Sequence, residues 1–249
     1  MSEAMILTAR CLRLSRRQAD ALITALVLPV LLMVLFVVLF GGAIHTGTGT
    51  RYVTYVVPGV LLLCAGYSSS LTAVAVCQDM TGGCIDRLRS MNVRGESLLV
   101  GHVVASAARN LASGVLVMAV ALALGFHPHA DALEWLEATG VLVAFIVAIS
   151  ALSVAAGLLA SSPEAASGFT FLIMFLPYAS SAFVPVDTMP AWLRGFAAHQ
   201  PITPITETIR GLLLGTPIGS NAWVALAWCA AIVIVSIVGS GALFARRTK

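Results

Sequence analysis

The chain has 249 residues, of which 59% are apolar and 10% charged, with a formal net charge of +3. A water-soluble domain carries about 25% charged residues, so a surface this poor in charge cannot face water throughout, and lipid must be its main solvent. The 14 cations sit at the ends of apolar segments rather than in one stripe with aromatics, which excludes a nucleic-acid-binding face.

The first twenty residues predict an amphipathic helix. Arg10, Arg13 and Arg17 share one flank, and Leu7, Cys11 and Leu14 share another. Such a helix suits the surface of an anionic cytoplasmic leaflet, and its charge also serves as a topology signal. Six apolar stretches follow, each long enough to cross a bilayer core as a helix of about 20 residues. They run over about 21–40, 55–76, 103–126, 138–160, 166–184 and 222–244. The first is too long for the apolar core of a typical cleaved signal peptide. The expected fold is therefore an all-α integral membrane protein: one domain over 1–249, six transmembrane helices and no internal repeat.

Orientation follows from the cations. Ten of the 14 fall before the first span, in the link between the second and third, or in the tail, and Arg109 just inside the third span makes eleven on that side; Arg51, Arg194 and Arg210 fall on the other side. The positive-inside rule puts both termini in the cytosol. Ser153, Gly157 and Ser161, each four apart in or just after the fourth span, let helix backbones approach closely, either inside one subunit or at a dimer seam. Arg109 and His102 near the start of the third span are placed to reach back to the cytosolic face.

Two connecting segments carry more pattern than a loop needs. The first, 79–96, is charged with both signs. Gly82–Gly83 can end the second span, and Cys84, Ile85, Asp86, Arg87, Leu88, Arg89, Ser90 and Met91 can form a short helix. Ile85, Leu88 and Met91 would share one face, a small apolar ridge for a soluble partner; a plain solvated link is the other reading. The second, 185–221, is rich in proline. It predicts short helices at Met189–Ala197 and Ile205–Leu214, too short to span, which together make a hairpin lying on or dipping into the outer leaflet.

Much chemistry is excluded. The single lysine is Lys249, so no phosphate-binding P-loop and no lysine Schiff base can form. No GxSxG or HExxH motif occurs. His127 and His129 beside Asp131 are weak grounds for a metal site. The five cysteines lack a CxxC pair and read as inert thiols. An intramembrane enzyme would need facing catalytic side chains; Tyr67–Ser70 is a polar cluster without a His or Asp at matching depth. No Asp, Glu or His sits mid-span as a proton relay would require, so energy must come from elsewhere.

The chain resembles the permease subunits of type-2 ABC exporters (the ABC-2 or type V group), in particular the daunorubicin-resistance branch. The residues that carry the resemblance are Phe183–Val184–Pro185, Met189–Pro190–Ala191–Trp192–Leu193, His199–Gln200–Pro201–Ile202–Thr203, Glu207 and Arg210–Gly211, in that order before the last span. Asp79 and Arg87–Leu88 stand where members carry an acid and a short R-L run. The resemblance implies two permease chains, identical or sisters, paired with two cytosolic ATPase subunits that bind the ATP and Mg2+. Asp79 and 84–91 would couple to the ATPase. The hairpin bearing Phe183, Pro185, Pro190, Trp192, Leu193, Pro201, Glu207 and Arg210 would gate the exit. The first, second and fifth spans, with Phe36, Tyr67, Phe171 and Phe175, would line the path. It implies a bacterial plasma-membrane exporter of an amphipathic drug or lipid; an exporter of polysaccharide or glycoconjugate with the same fold is the alternative.

Overall fold

The computed structural model describes residues 3–17, 19–40, 52–83 and 95–247. Among these, every regular element is helical: α1 (Glu3–Arg17), α2 (Ala19–Phe40), α3 (Tyr52–Thr81), α4 (Gly95–Ala123), α5 (Ala132–Leu159), α6 (Pro163–Tyr178), a 3-10 turn (Val186–Thr188), α7 (Ala191–His199), α8 (Ile202–Leu214) and α9 (Asn221–Arg247). Four of them, α3, α4, α5 and α9, are long and apolar enough to cross a membrane. The remaining two expected spans are α2, whose described apolar stretch is Val27–Leu39, and α6, with only 16 residues. At 1.5 Å per residue, α6 is about 24 Å long, short of the roughly 30 Å hydrocarbon core.

The sequence accounts for several helix ends. Thr81 donates its hydroxyl to the Cys77 carbonyl, and Gly83 takes φ 69° in the turn that follows, so α3 stops where Gly82–Gly83 predict. Asp131 caps α5: its carboxylate accepts from Glu134 N at 2.8 Å, while Asp131 N donates to the Glu134 carboxylate at 2.9 Å. The acid beside His127 and His129 is thus spent as a cap. Ser162 caps α6, with Pro163 in the first turn.

The centre of the bundle is α3. A helix apolar on every side has to be covered on every side, and α3 is buried along most of its 30 residues. It packs against α2, α4, α5, α6 and α8. Lipid tails are as apolar as the helices, so close packing rather than the hydrophobic effect must hold spans together. Glycine supplies that closeness. A Cβ on Gly66 would lie 2.7 Å from Ile173 of α6, and one on Gly101 of α4 would lie 3.2 Å from the backbone of Thr8 in α1. At Gly157 of α5 it would meet the Ala73 carbonyl of α3 and lie 2.9 Å from Val76. The small-residue spacing around Gly157 therefore serves packing inside one subunit.

Several boundaries differ from expectation: α5 begins at Ala132, six residues before the predicted fourth span, and α6 ends at Tyr178, six residues before the predicted end of the fifth. Helix α4 begins at Gly95, eight residues before the predicted third span, because Leu98, Gly101 and His102 find partners on α1 and α3 and the helix gains from continuing. Helix α8 begins at Ile202, three residues before its predicted start; of the two placements expected for it the surface-lying one does not hold, since eleven of its 13 residues are buried and it inserts among α3, α5 and α9. Replacing Gly157 by Leu is expected to cost about 1–3 kcal/mol by overpacking and to lower the thermal midpoint in detergent. Gly168→Leu, where an added Cβ meets nothing within 4 Å, is expected to leave the midpoint unchanged.

Candidate transport site and coupling junction

Polar side chains collect at three levels of the bundle. At the end that carries most cations, Asp79 in the last turn of α3 joins three helices. Arg10 of α1 donates to both its carboxylate oxygens, at 2.9 and 3.1 Å, and His102 Nε2 of α4 lies 2.9 Å from Oδ2. The Asp79 and His102 side chains are only 15% and 7% exposed. A charge so placed is costly unless paired and hydrogen-bonded, and Arg10 with His102 supplies both. Leu7 and Cys11 of α1 pack against Leu98 and Ala105 of α4 beside this pair, with Met80 at the edge. Leu7 and Cys11 of the apolar flank of α1 are thus covered by protein rather than by the leaflet surface that the amphipathic pattern suits.

Halfway along the spans lies a network without a carboxylate among its described hydrogen bonds. Asn110 Nδ2 donates to Ser69 Oγ at 2.9 Å and to the Ser106 carbonyl at 3.0 Å. Ser150 Oγ donates to Ser106 Oγ at 2.8 Å and lies 3.3 Å from Ser69 Oγ. Ser69 of α3, Ser106 and Asn110 of α4 and Ser150 of α5 are thereby tied together. Next to it, Arg109 donates to Thr72 Oγ1 at 2.7 Å. Because α4 starts at Gly95, Arg109 is 14 residues, or about 21 Å, into the helix. Its guanidinium is turned toward α3, so the expectation that it reaches back to the aqueous face is corrected: with Thr72 beside it, the inward rotamer satisfies a donor that hydrocarbon would leave bare.

At the opposite end, non-helical backbone is buried. Residues 179–183 turn between α6 and the 3-10 helix, and their carbonyls need donors at membrane depth. Tyr55 OH donates to the Ser181 carbonyl at 3.0 Å and Tyr52 OH to the Phe183 carbonyl at 3.1 Å. Gln200 Nε2 donates to Leu176 and Ala179 carbonyls at 3.0 and 2.8 Å. Arg210, 5% exposed, is the hub. Its Nη2 donates to the Ser181 carbonyl at 2.8 Å and the Tyr55 carbonyl at 3.1 Å; Nη1 bonds Glu207 Oε1 at 2.6 Å. The guanidinium carbon stands 3.7 Å from the centre of the Tyr55 ring. Gly59 completes the fit, since a Cβ there would lie 2.5 Å from the Ala182 side chain.

The expected site residues divide accordingly. Phe183, Glu207 and Arg210 meet in the outer cluster, with Pro201 half-buried beside it. Pro185, Pro190, Trp192 and Leu193 form an outlying limb, on which Trp192 is 80% exposed. Phe36 packs on Phe183, which stacks on Tyr178, both at 5.1 Å between ring centres. Phe171 and Phe175 stand on an open face of α6, and Tyr67 is half-buried on α3. Asp79 is at the junction; Cys84, Ile85, Asp86, Arg87, Leu88, Arg89 and Met91 lie outside the described residues. Sequence reasoning missed Arg10 and His102 as partners of Asp79, Tyr52 and Tyr55 as donors, and the Ser69–Ser106–Asn110–Ser150 network. The helical spacing of Ser106, Asn110 and Ser113 in an otherwise apolar span was the available signal for the last.

A membrane bundle with this layout matches a known family. The profile of the ABC-2 type transporter family matches residues 2–214. The chain belongs to that family. This ABC-2 chain is 26% identical over 238 residues to the probable doxorubicin resistance ABC transporter permease protein DrrC of Mycobacterium tuberculosis, covering 96% of this chain and 86% of the relative. It is 27% identical over 218 residues to the daunorubicin resistance ABC transporter permease protein DrrB1 of Streptomyces coeruleorubidus, covering 87% and 76%. All three clusters described above lie within the matched range.

Asp79→Asn is expected to loosen α1 from the ABC-2 bundle, because it leaves Arg10 and His102 without their shared acid. Cys11, 4% exposed, reports this. With Cys11 as the sole cysteine, maleimide labelling is expected to quicken about tenfold, equivalent to about 1.4 kcal/mol; an unchanged rate would show that the acid does not hold α1.

Proposed function

We propose that the chain is the membrane-spanning permease subunit of an ATP-driven exporter that moves an amphipathic, drug-like molecule out of the cytosol or the inner leaflet. The observation that carries this reading is family membership over residues 2–214, together with the drug-resistance permeases among its relatives. The sequence lacks a nucleotide-binding P-loop, so hydrolysis of ATP belongs to a partner ATPase, in two copies, which also holds the Mg2+. The distribution of cations supports cytosolic termini and a bacterial plasma-membrane location with the Asp79 junction on the cytosolic side.

In this reading the ATPase engages residues 84–91, and the junction passes its movement on. The link carrying 84–91 emerges from α3 just after Asp79 and re-enters at α4 just before His102, and the ion pair fastens both helices to α1. A push on the link then moves three elements as one. A second permease chain, a copy or a sister, covers the apolar face that carries Leu31 and Leu35 of α2 and Phe171 and Phe175 of α6; all four are at least 46% exposed. The path runs along that seam, past Phe36 and Tyr67. The α7–α8 limb gates the exit, with α8 fixed by Arg210 and the α7 arm, carrying Pro185, Pro190, Trp192 and Leu193, free to meet the outer leaflet.

Two experiments test this reading. Arg87→Glu with Leu88→Asp is expected to abolish co-purification with the ATPase; wild-type recovery of the complex would remove the docking role of 84–91. Trp192→Ala is expected to reduce export several-fold with assembly intact. Full export by that variant would count against a gating arm.

A further inference from the structure

A cleft of about 560 Å3 lies between α4, α5 and α9. Its lining includes one helical stripe from each: Val103 from α4, Ala151 and Val154 from α5, and Ser236, Ser240 and Gly241 from α9. The size falls within the roughly 300–1,000 Å3 typical of small-molecule sites, and the make-up is theirs too, apolar walls with few polar groups. Small residues create the space: a Cβ on Gly241 would meet nothing within 4 Å. The cleft is in the half of the bundle that holds the Asp79 junction. Val103 follows His102, Val154 is five residues from the end of α5 at Leu159, and Gly241 is six residues from the end of α9 at Arg247. None of its lining comes from α2 or α6, where the transport seam is placed.

Ser236 indicates what fits there. It is 2% exposed, and its hydroxyl has no hydrogen-bond partner. A serine in a helix ordinarily has the carbonyl four residues earlier within reach; this one leaves that option unused. An unpaired buried hydroxyl is unfavourable, and a hydrocarbon tail offers nothing to relieve it. A molecule with a hydroxyl or carbonyl group set in an apolar body does.

We propose that this cleft is a lateral binding site for such an amphipathic molecule, with its polar group bonded to Ser236 and its apolar body between Val103, Ala151 and Val154. The identification of the occupant as transported substrate rests on the drug-exporter reading above. The site then collects substrate from the inner leaflet before it reaches the seam between permeases.

Doxorubicin, which is fluorescent, is the probe, with the chain in nanodiscs and the complete transporter in liposomes. Binding is expected to weaken about five- to tenfold in Ser236→Val, consistent with loss of one hydrogen bond. It is expected to return in Ser236→Thr and to vanish in Ala151→Phe, which fills the cleft. Wild-type affinity in both Ser236→Val and Ala151→Phe overturns the site. So does native mass spectrometry showing a phospholipid held by the wild type and lost from Ala151→Phe while doxorubicin binding is unchanged. Loss of binding in the variants with no export of doxorubicin by the wild-type transporter would leave the site standing and refute the drug-export reading. Normal binding and export in every variant would do the reverse. A wild-type chain that binds no doxorubicin refutes both.

Discussion

Asp79 bonded to both Arg10 and His102 is the interaction on which the arrangement of the cation-rich end of the bundle depends. It is a carboxylate at the end of a span, mostly out of water, and it is stable there only because a guanidinium and an imidazole converge on it from two other helices. The consequence is mechanical. Without it, α1 would keep its packing on α4 at Leu7, Cys11 and the close approach of Gly101 to Thr8, but would lose its ionic tie to the end of α3. With it, α1, α3 and α4 form one clamped unit around the point where the link leaves and returns.

The same need to satisfy polar groups internally explains the rest of the bundle. The middle network of Ser69, Ser106, Asn110 and Ser150 ties α3, α4 and α5 by hydrogen bonds that the hydrocarbon cannot compete for. At the far end, Arg210 and two tyrosines let a non-helical turn be buried by bonding its carbonyls. The α7–α8 limb therefore has a fixed part and an exposed part: α8 is bonded into the core, whereas Trp192 and Phe196 of α7 project from it. That division is what the proposed gating role requires, a hinge held in register beside an arm that can move.

The helical class and the positions of most helices were legible because long apolar runs and Gly or Pro breaks mark them. Gly82–Gly83 marked a helix end in the same way, whereas the Asp131–Glu134 cap, which starts α5 six residues before the expected span, was not read from the sequence. The early start of α4 was not legible, because Glu96 and His102 end the apolar run although tertiary partners let the helix continue. The burial of α8 was hidden too, since its threonines and Arg210 look suited to a surface until Tyr55 and the 181–183 carbonyls are placed beside them. Individual serines in a span carry little pattern, so the middle network had to be seen in three dimensions. For the outer residues, the resemblance grouped Phe183, Glu207 and Arg210 with Pro190 and Trp192; the geometry separates buried Phe183 and Arg210, with half-buried Glu207 paired to Arg210, from the exposed two.

The central claim is that ATP-driven movement at the cytosolic end reaches the spans through a clamped α1–α3–α4 unit. Pulsed electron-electron resonance on the complete transporter tests it most directly. In a cysteine-free background, one label pair at Arg13→Cys and Val100→Cys reports α1 against α4, and a second at Val100→Cys and Phe171→Cys reports α4 against the open face of α6; all three positions are exposed. On adding ATP with the ATPase present, the account predicts an unchanged, narrow first distance and a shifted second one. A first distance that broadens or moves while the second stays fixed would contradict it.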